Sequence, residues 1–262
     1  MNISNSQDTS SLLNKAQSAQ QTQFQRISSA KQINSAKDDA AGLVMATQLD
    51  SQSLSISAAL KNNMDGISRI QVEDGALSSV SEDLQKIREL SLQQQNGTLN
   101  EEGRQAIQSE IDQRLESIDS ALGQTEFNGK SVFEEGDVNI QAGSEVGQTI
   151  NLGGEDVAAQ FSSLGVAAGG GEINLDSLDS ALELVSQRRS ELGASESRLE
   201  SNSEFLALKN EQNQSASSRI QDTDFAKALA EKSKADVQVS VIIGVQAQAN
   251  QNQESVLRLL KS

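Results

Sequence analysis

The chain has 262 residues and a formal charge of −16, and it contains no Pro, Cys, His, Trp or Tyr; its six aromatic residues are all Phe. Without Cys or His there is no disulfide framework, thiolate nucleophile, HExxH zinc motif or imidazole base, and so acidic a chain offers no basic face to nucleic acid. No apolar run reaches the roughly 18 residues that would suggest membrane insertion, and the opening MNISNSQDTS has no charged or apolar stretch that would make a cleaved secretory leader.

In chain order, residues 1–42 carry a weak apolar pattern, Leu13, Ala16, Phe24, Ile27 and Ala30, set among Gln, Asn and Ser. At about 1.5–3 kcal/mol per fully buried side chain, residues 1–31 cannot offset a backbone ordering cost of about 1–2 kcal/mol per residue. An isolated end is therefore expected to stay largely unfolded until it docks. Asp38-Asp39, beside Ala40-Ala41-Gly42, reads as a solvated or helix-capping pair, because nothing nearby completes an acid–base site.

Residues 43–123 read as two helices. Leu49, Ile56, Leu60, Ile67, Ile70, Leu77, Val80, Leu84, Ile87 and Leu90 fall at three- and four-residue steps, so this stripe, Ile56 included, is expected to line a bundle core. Asn96-Gly97 breaks the first helix, and although Asn96-Gly97-Thr98 matches a glycan acceptor, a turn is the reading at a helix break. Ile107, Ile111, Leu115, Ile118 and Leu122 mark the second helix, with Gly123 expected as its C-cap.

Eleven of the 18 glycines lie between Gly123 and Gly171, so residues 124–173 read as a small outer insert of strands and loops. Phe127-Asn128-Gly129-Lys130 is a turn signal, while Val138–Ile140 and Gln148–Leu152 alternate like the strands of a small hairpin. In residues 174–221, Leu178, Val185, Leu192, Leu199 and Leu206 recur every seven residues, and the register continues through Asn213 to Ile220. The alternate seam position turns polar after Leu182, at Arg189, Glu196, Ser203 and Asn210, so a helix in a bundle is expected rather than a dimeric zipper. The last segment, 222–262, carries Val239, Ile242, Ala249, Val256 and Leu260.

The fold class expected is therefore mainly α, a coiled-coil-like bundle of both flanks with a small central β-hairpin region. Proline's absence suits such long helices. Residues 1–42 carry a net charge of +1, residues 222–262 carry none, and residues 43–221 carry −17. Near-neutral ends can pack against copies of themselves while the acidic body stays solvated.

Ile33-Asn34-Ser35-Ala36-Lys37-Asp38-Asp39-Ala40-Ala41-Gly42, Leu84 to Leu90, Gln113 to Gly129, Asp222 to Ala226, Gln246 to Asn250 and Val256 to Leu260 together resemble the blocks of the bacterial flagellin family, in a short form. The resemblance implies an inner tube of terminal helices, a surrounding rod and an outermost β region. It also implies export of the unfolded chain by the flagellar type III route and polymerisation into the extracellular filament for swimming, with a hook–filament junction protein as the alternative. Leu13, Phe24, Ile27, Val239, Ile242, Val256 and Leu260 are then the candidate self-assembly residues. The implied partners are further copies, an export chaperone, the filament cap and hook-junction proteins, with no cofactor, metal or catalytic residue. The vertebrate flagellin receptor is a further implied partner through Lys86, Leu90 and Glu110, where Lys86 replaces the family's Arg. Ser131, Ser144, Thr149, Ser162 and Ser163 of the outer region are, as the resemblance implies, O-glycan candidates by location. An enzymatic insert of the family's metalloprotease kind is excluded by the absence of His.

Overall fold

A computed structural model describes residues 3–133, 136–153, 157–166 and 174–261, the side chains of 3–8, 253 and 256–261 excepted. Gly169 to Gly171 lie outside the described residues. Among the described residues the fold is mainly helical: α1 Ile3–Ser29, α2 Ala40–Gln94, α3 Glu101–Gln124, a short α4 Val157–Ser163, α5 Leu175–Gln221 and α6 Phe225–Lys261. Strands β1 Glu126–Phe127 and β2 Lys130–Ser131 form one antiparallel hairpin, and β3 Asn139–Gln141 and β4 Thr149–Asn151 form another. The chain divides into two compact units, one of residues 1–53 and 211–262, the other of residues 54–210.

In the second unit the expected stripes make the core. Leu77, Val80, Leu84, Ile87 and Leu90 of α2 meet Ile111, Leu115, Ile118 and Leu122 of α3 and Leu178, Val185, Leu192 and Leu199 of α5 in one cluster, each at most 4% exposed. Ile56, Ala59 and Leu206 make a smaller cluster. Three of the four polar seam positions of α5 face polar side chains of α2: Arg189 pairs with Asp74 at 2.7 Å, Glu196 accepts from Gln71 at 3.0 Å, and Asn63 donates to Ser203 at 3.2 Å. As the α5 number rises the α2 number falls, so the pair is antiparallel and these contacts specify its register. Arg114 of α3 adds an ion pair to Asp83 at 2.8 Å.

Helix α3 starts where Asn100 caps it, accepting from Gly103 N at 2.9 Å, with Glu101 and Glu102 in the first turn. Its expected end is corrected by one residue. Gly123 is inside the helix, which runs to Gln124, and the extended Thr125 is the C-cap; the Thr125 hydroxyl donates back to Ala121 O, occupying a carbonyl that a glycine cap would otherwise serve.

The insert is held to the helices by its backbone. Asn128 and Gly129, at φ 53° and 74°, give the first hairpin the primed turn that its two-residue loop requires. In the second hairpin, Asn62 Nδ2 donates to Gln141 O at 3.1 Å and Asn202 Nδ2 to Ala142 O at 2.6 Å. A Cβ built on Gly66 would stand 3.1 Å from Leu199 Cδ1 and 3.2 Å from Ile140 Cγ1, so this glycine lets α2, α5 and β3 approach. Helix α4 was not marked by the sequence pattern: seven residues are too short for a period to show, yet Val157 and Phe161, one turn apart, are both buried.

Beneath the insert lies a buried charge cluster. Arg188 of α5 is 4% exposed and Glu73 of α2 is 1% exposed; they pair at 2.7 Å. Arg188 also donates to Leu152 O at 3.3 Å and Gly153 O at 3.2 Å. Arg69 approaches Glu73 at 3.6 Å and donates to Val132 O at 3.2 Å. Burial raises the Glu73 carboxyl above its ordinary value, opposed by the charge and hydrogen bonds of Arg188. The two guanidiniums thus satisfy three backbone carbonyls that the short strands leave unpaired.

Candidate assembly surface

The first unit is built differently, because few large apolar side chains lie where its two long helices meet. Among the buried or half-buried residues of α1 are Thr9, Leu13, Ala16, Gln20, Gln23 and Ile27, in alternating steps of four and three, with Thr22 and Arg26 half-buried beside them. The same steps in α6 pick out Ala228, Lys232, Ala235, Val239, Ile242, Gln246 and Ala249. The two helices therefore meet along a heptad seam. The ends expected to need a docking partner find one in each other. Among the described side chains, only Ala16, Ala228 and Ala235 along these two seams are buried outright, so small side chains let the backbones come close.

A polar lock sets the register. Gln20 Nε2 donates to Asp236 Oδ1 at 2.7 Å, and Lys232 Nζ reaches Asp236 Oδ2 at 2.8 Å. The Lys232 and Gln20 hydrogen bonds hold the Asp236 carboxyl below its ordinary value. Both helices are placed by their connectors. Gln32 N donates to Gln221 O at 2.6 Å and Thr223 N to Ala30 O at 3.0 Å, a short antiparallel bridge between the two crossings. Asp224 then starts α6 by accepting from Lys227 N at 3.1 Å.

The Ile33–Gly42 block acts through the same connector, and each of its marked residues has a physical task. Asp39 is the cap of α2, accepting from Gly42 N at 2.9 Å. Asp38 Oδ2 gathers three donors, Asn34 N at 3.1 Å, Ser35 N at 3.0 Å and Ser35 Oγ at 3.0 Å. These bonds, the Ser35 hydroxyl first, hold its carboxyl below the ordinary value. Ile33 is 5% exposed, and a Cβ on Gly42 would meet its Cδ1 at 2.7 Å and Asp39 Oδ2 at 2.5 Å; glycine is what allows this corner to close. The acidic pair is thus a turn and a cap, as its neighbours suggested.

With so little buried in the seam, large apolar side chains are left outside it. Phe24, Leu229, Val237, Val241, Ile243 and Val245 are 49–62% exposed, as are Leu12 and Phe225. Val237, Val241 and Val245 recur every four residues and form a ridge along α6. Of the candidate self-assembly residues, Leu13, Ile27, Val239 and Ile242 are half-buried along the α1–α6 seam, Phe24 is on the exposed face, and Val256 and Leu260 lie outside the described side chains. Sequence reasoning missed the ridge because it sought one apolar stripe per helix, and α6 carries apolar residues on two sides. Spacing of four beside the heptad would have revealed it.

Of the residues that the family resemblance would link to the vertebrate receptor, Lys86 pairs with Glu89 at 2.8 Å, Glu110 is half-buried on α3, and Leu90 is 4% exposed inside the core. Leu90 is thereby shielded from a partner while the bundle is intact. Among the described residues no group of three or more His, Cys, Asp or Glu is placed to hold a metal ion, and no helix is long and apolar enough to cross a membrane.

Comparison with known proteins bears on the same elements. Residues 2–137 match the family model of the bacterial flagellin N-terminal helical region, and residues 175–260 match that of the C-terminal helical region. The chain is 41% identical over 153 residues to a flagellin of Salmonella muenchen, covering 58% of this chain and 30% of that protein. It is 44% identical over 145 residues to a flagellin of Escherichia coli O127:H6 (strain E2348/69 / EPEC), covering 55% and 26%. The chain thus spans less than a third of these relatives. Its fold is similar to the crystal structure of Bacillus cereus flagellin, with a TM-score of 0.51 and 27% identity over 56% of this chain and 88% of that one.

Proposed function

The chain belongs to the bacterial flagellin family, and from that premise we propose that it is a non-enzymatic structural subunit, exported unfolded, that polymerises through its α1–α6 pair into the extracellular flagellar filament used for swimming. The observation that carries this reading is the exposed apolar set on a helix pair whose own seam is made largely of Ala, Gln and Thr. Each Val or Ile further buried against a neighbouring copy contributes about 1 kcal/mol, and many copies repeat the gain. The near-neutral charge of both ends leaves little repulsion to oppose it.

In keeping with the family, an export chaperone, the filament cap and hook-junction proteins are its further partners. Recognition by the vertebrate receptor would rest on Lys86 and Glu110, with Lys86 lacking the planar fork of Arg; a reporter-cell assay comparing the protein with Lys86→Arg tests this, and equal potency contradicts it. For the main reading, purified protein is seeded and imaged by negative-stain electron microscopy. Long tubes are expected from the full chain and none from chains lacking residues 1–31 or 232–262. Monomers of the full chain that never elongate would favour a junction protein instead.

A further inference from the structure

We propose that Asn96 is a site of spontaneous deamidation, with the Gly97 backbone nitrogen as nucleophile and Thr98 stabilising the charge that develops on the side-chain oxygen. The turn between α2 and α3 brings these groups together. Asn96, Gly97 and Thr98 are all exposed. Asn96 Oδ1 accepts from Thr98 N at 3.2 Å and from Thr98 Oγ1 at 3.0 Å. Two donors on this oxygen draw electron density from Cγ and are in place for the oxyanion of a tetrahedral intermediate. Among the described residues, neither the Gly97 N–H nor Asn96 Nδ2 donates to any acceptor. Apart from its chain neighbours, nothing lies within 4 Å of where a Gly97 Cβ would be, so no other part of the fold crowds the turn at this residue.

The step balances without an oxidant or reductant. A Gly97 N–Asn96 Cγ bond forms and the Cγ–Nδ2 bond breaks; the Gly97 amide proton passes through solvent to Nδ2, which departs as ammonia. Water then opens the cyclic imide at either carbonyl, leaving aspartate or isoaspartate. The new carboxylate stands just ahead of α3, whose first turn already holds Glu101 and Glu102. Isoaspartate also adds a backbone atom close to Leu99, which packs against the core. The same dipeptide at Asn128-Gly129 is a built-in comparison. There both residues are fixed at φ 53° and 74° between the pairs Phe127–Lys130 and Glu126–Ser131, and the rotation that attack demands would open the hairpin.

The test incubates the purified full-length protein in mildly alkaline buffer and quantifies Asn, Asp and isoaspartate at both positions by peptide mapping. Conversion is expected at Asn96 well before Asn128 and is expected to be strongly slowed in Gly97→Ala. In Thr98→Val, an exposed position that keeps its N–H and loses its hydroxyl, the rate at Asn96 should fall about three- to tenfold, the worth of one hydrogen bond. An intact amide at Asn96, equal rates at the two sites, or an unchanged rate in Thr98→Val would overturn the proposal.

Discussion

Arg188 joins two things that water would otherwise have to satisfy: the Glu73 carboxylate and the carbonyls of Leu152 and Gly153. Arg188→Ala leaves a buried, largely uncompensated charge, and should cost about 3–5 kcal/mol in chemical denaturation. Replacing Glu73 and Arg188 together with apolar residues should cost less than Arg188→Ala alone, since no lone charge remains. Asp38 makes a different kind of prediction. Its carboxyl lies below the ordinary aspartate value in the folded connector, so its stabilising effect is present above that ordinary value and is lost as pH falls through the lower, folded one. Hydrogen exchange, corrected for intrinsic rates, should show the Asn34 and Ser35 amides protected at neutral pH and released in strong acid. Asp38→Ala should release them at every pH; protection that survives the substitution would contradict the assigned bonds.

Helix α5 shows why some elements can be read directly from sequence. Leu178, Val185, Leu192, Leu199 and Leu206 are apolar at every seventh position, and all are buried to 3% exposure or less, because a long periodic run leaves one face for the core. Leu192→Asp should therefore lower stability by about 4 kcal/mol or more, and an unchanged thermal melt would contradict the packing. The second hairpin was legible from alternation between glycines, whereas the first showed only as an Asn-Gly turn, its two-residue strands being too short to alternate. The buried Arg188–Glu73 cluster was not. A charged residue in a helix ordinarily reads as solvated, and its carbonyl partners are more than thirty residues away in sequence. In α1 and α6 the difficulty was the reverse. Their seam mixes Leu13, Ile27, Val239 and Ile242 with Ala and Gln, so a search for large apolar residues found part of the seam together with part of the exposed face, and missed Val237, Val241 and Val245.

For the molecule as a whole, the unequal distribution of burial is what points to function. Residues 54–210 enclose one large core, mostly of Leu, Ile, Val and Phe, and a smaller one around Ile56 and Leu206, while the terminal helices keep Phe24 and a row of valines in solvent. A chain whose ends are near neutral and whose middle carries −17 can bring those ends together in a polymer and leave the charge outside. Exposed positions can be altered without disturbing the fold, which separates assembly from stability. The most direct test is seeded elongation, followed by light scattering and electron microscopy, for the full chain and for Val241→Asp. The wild-type chain should grow tubes; the variant should melt at the same temperature yet fail to elongate. A variant that elongates as fast and as far as the wild type would contradict assembly through this face.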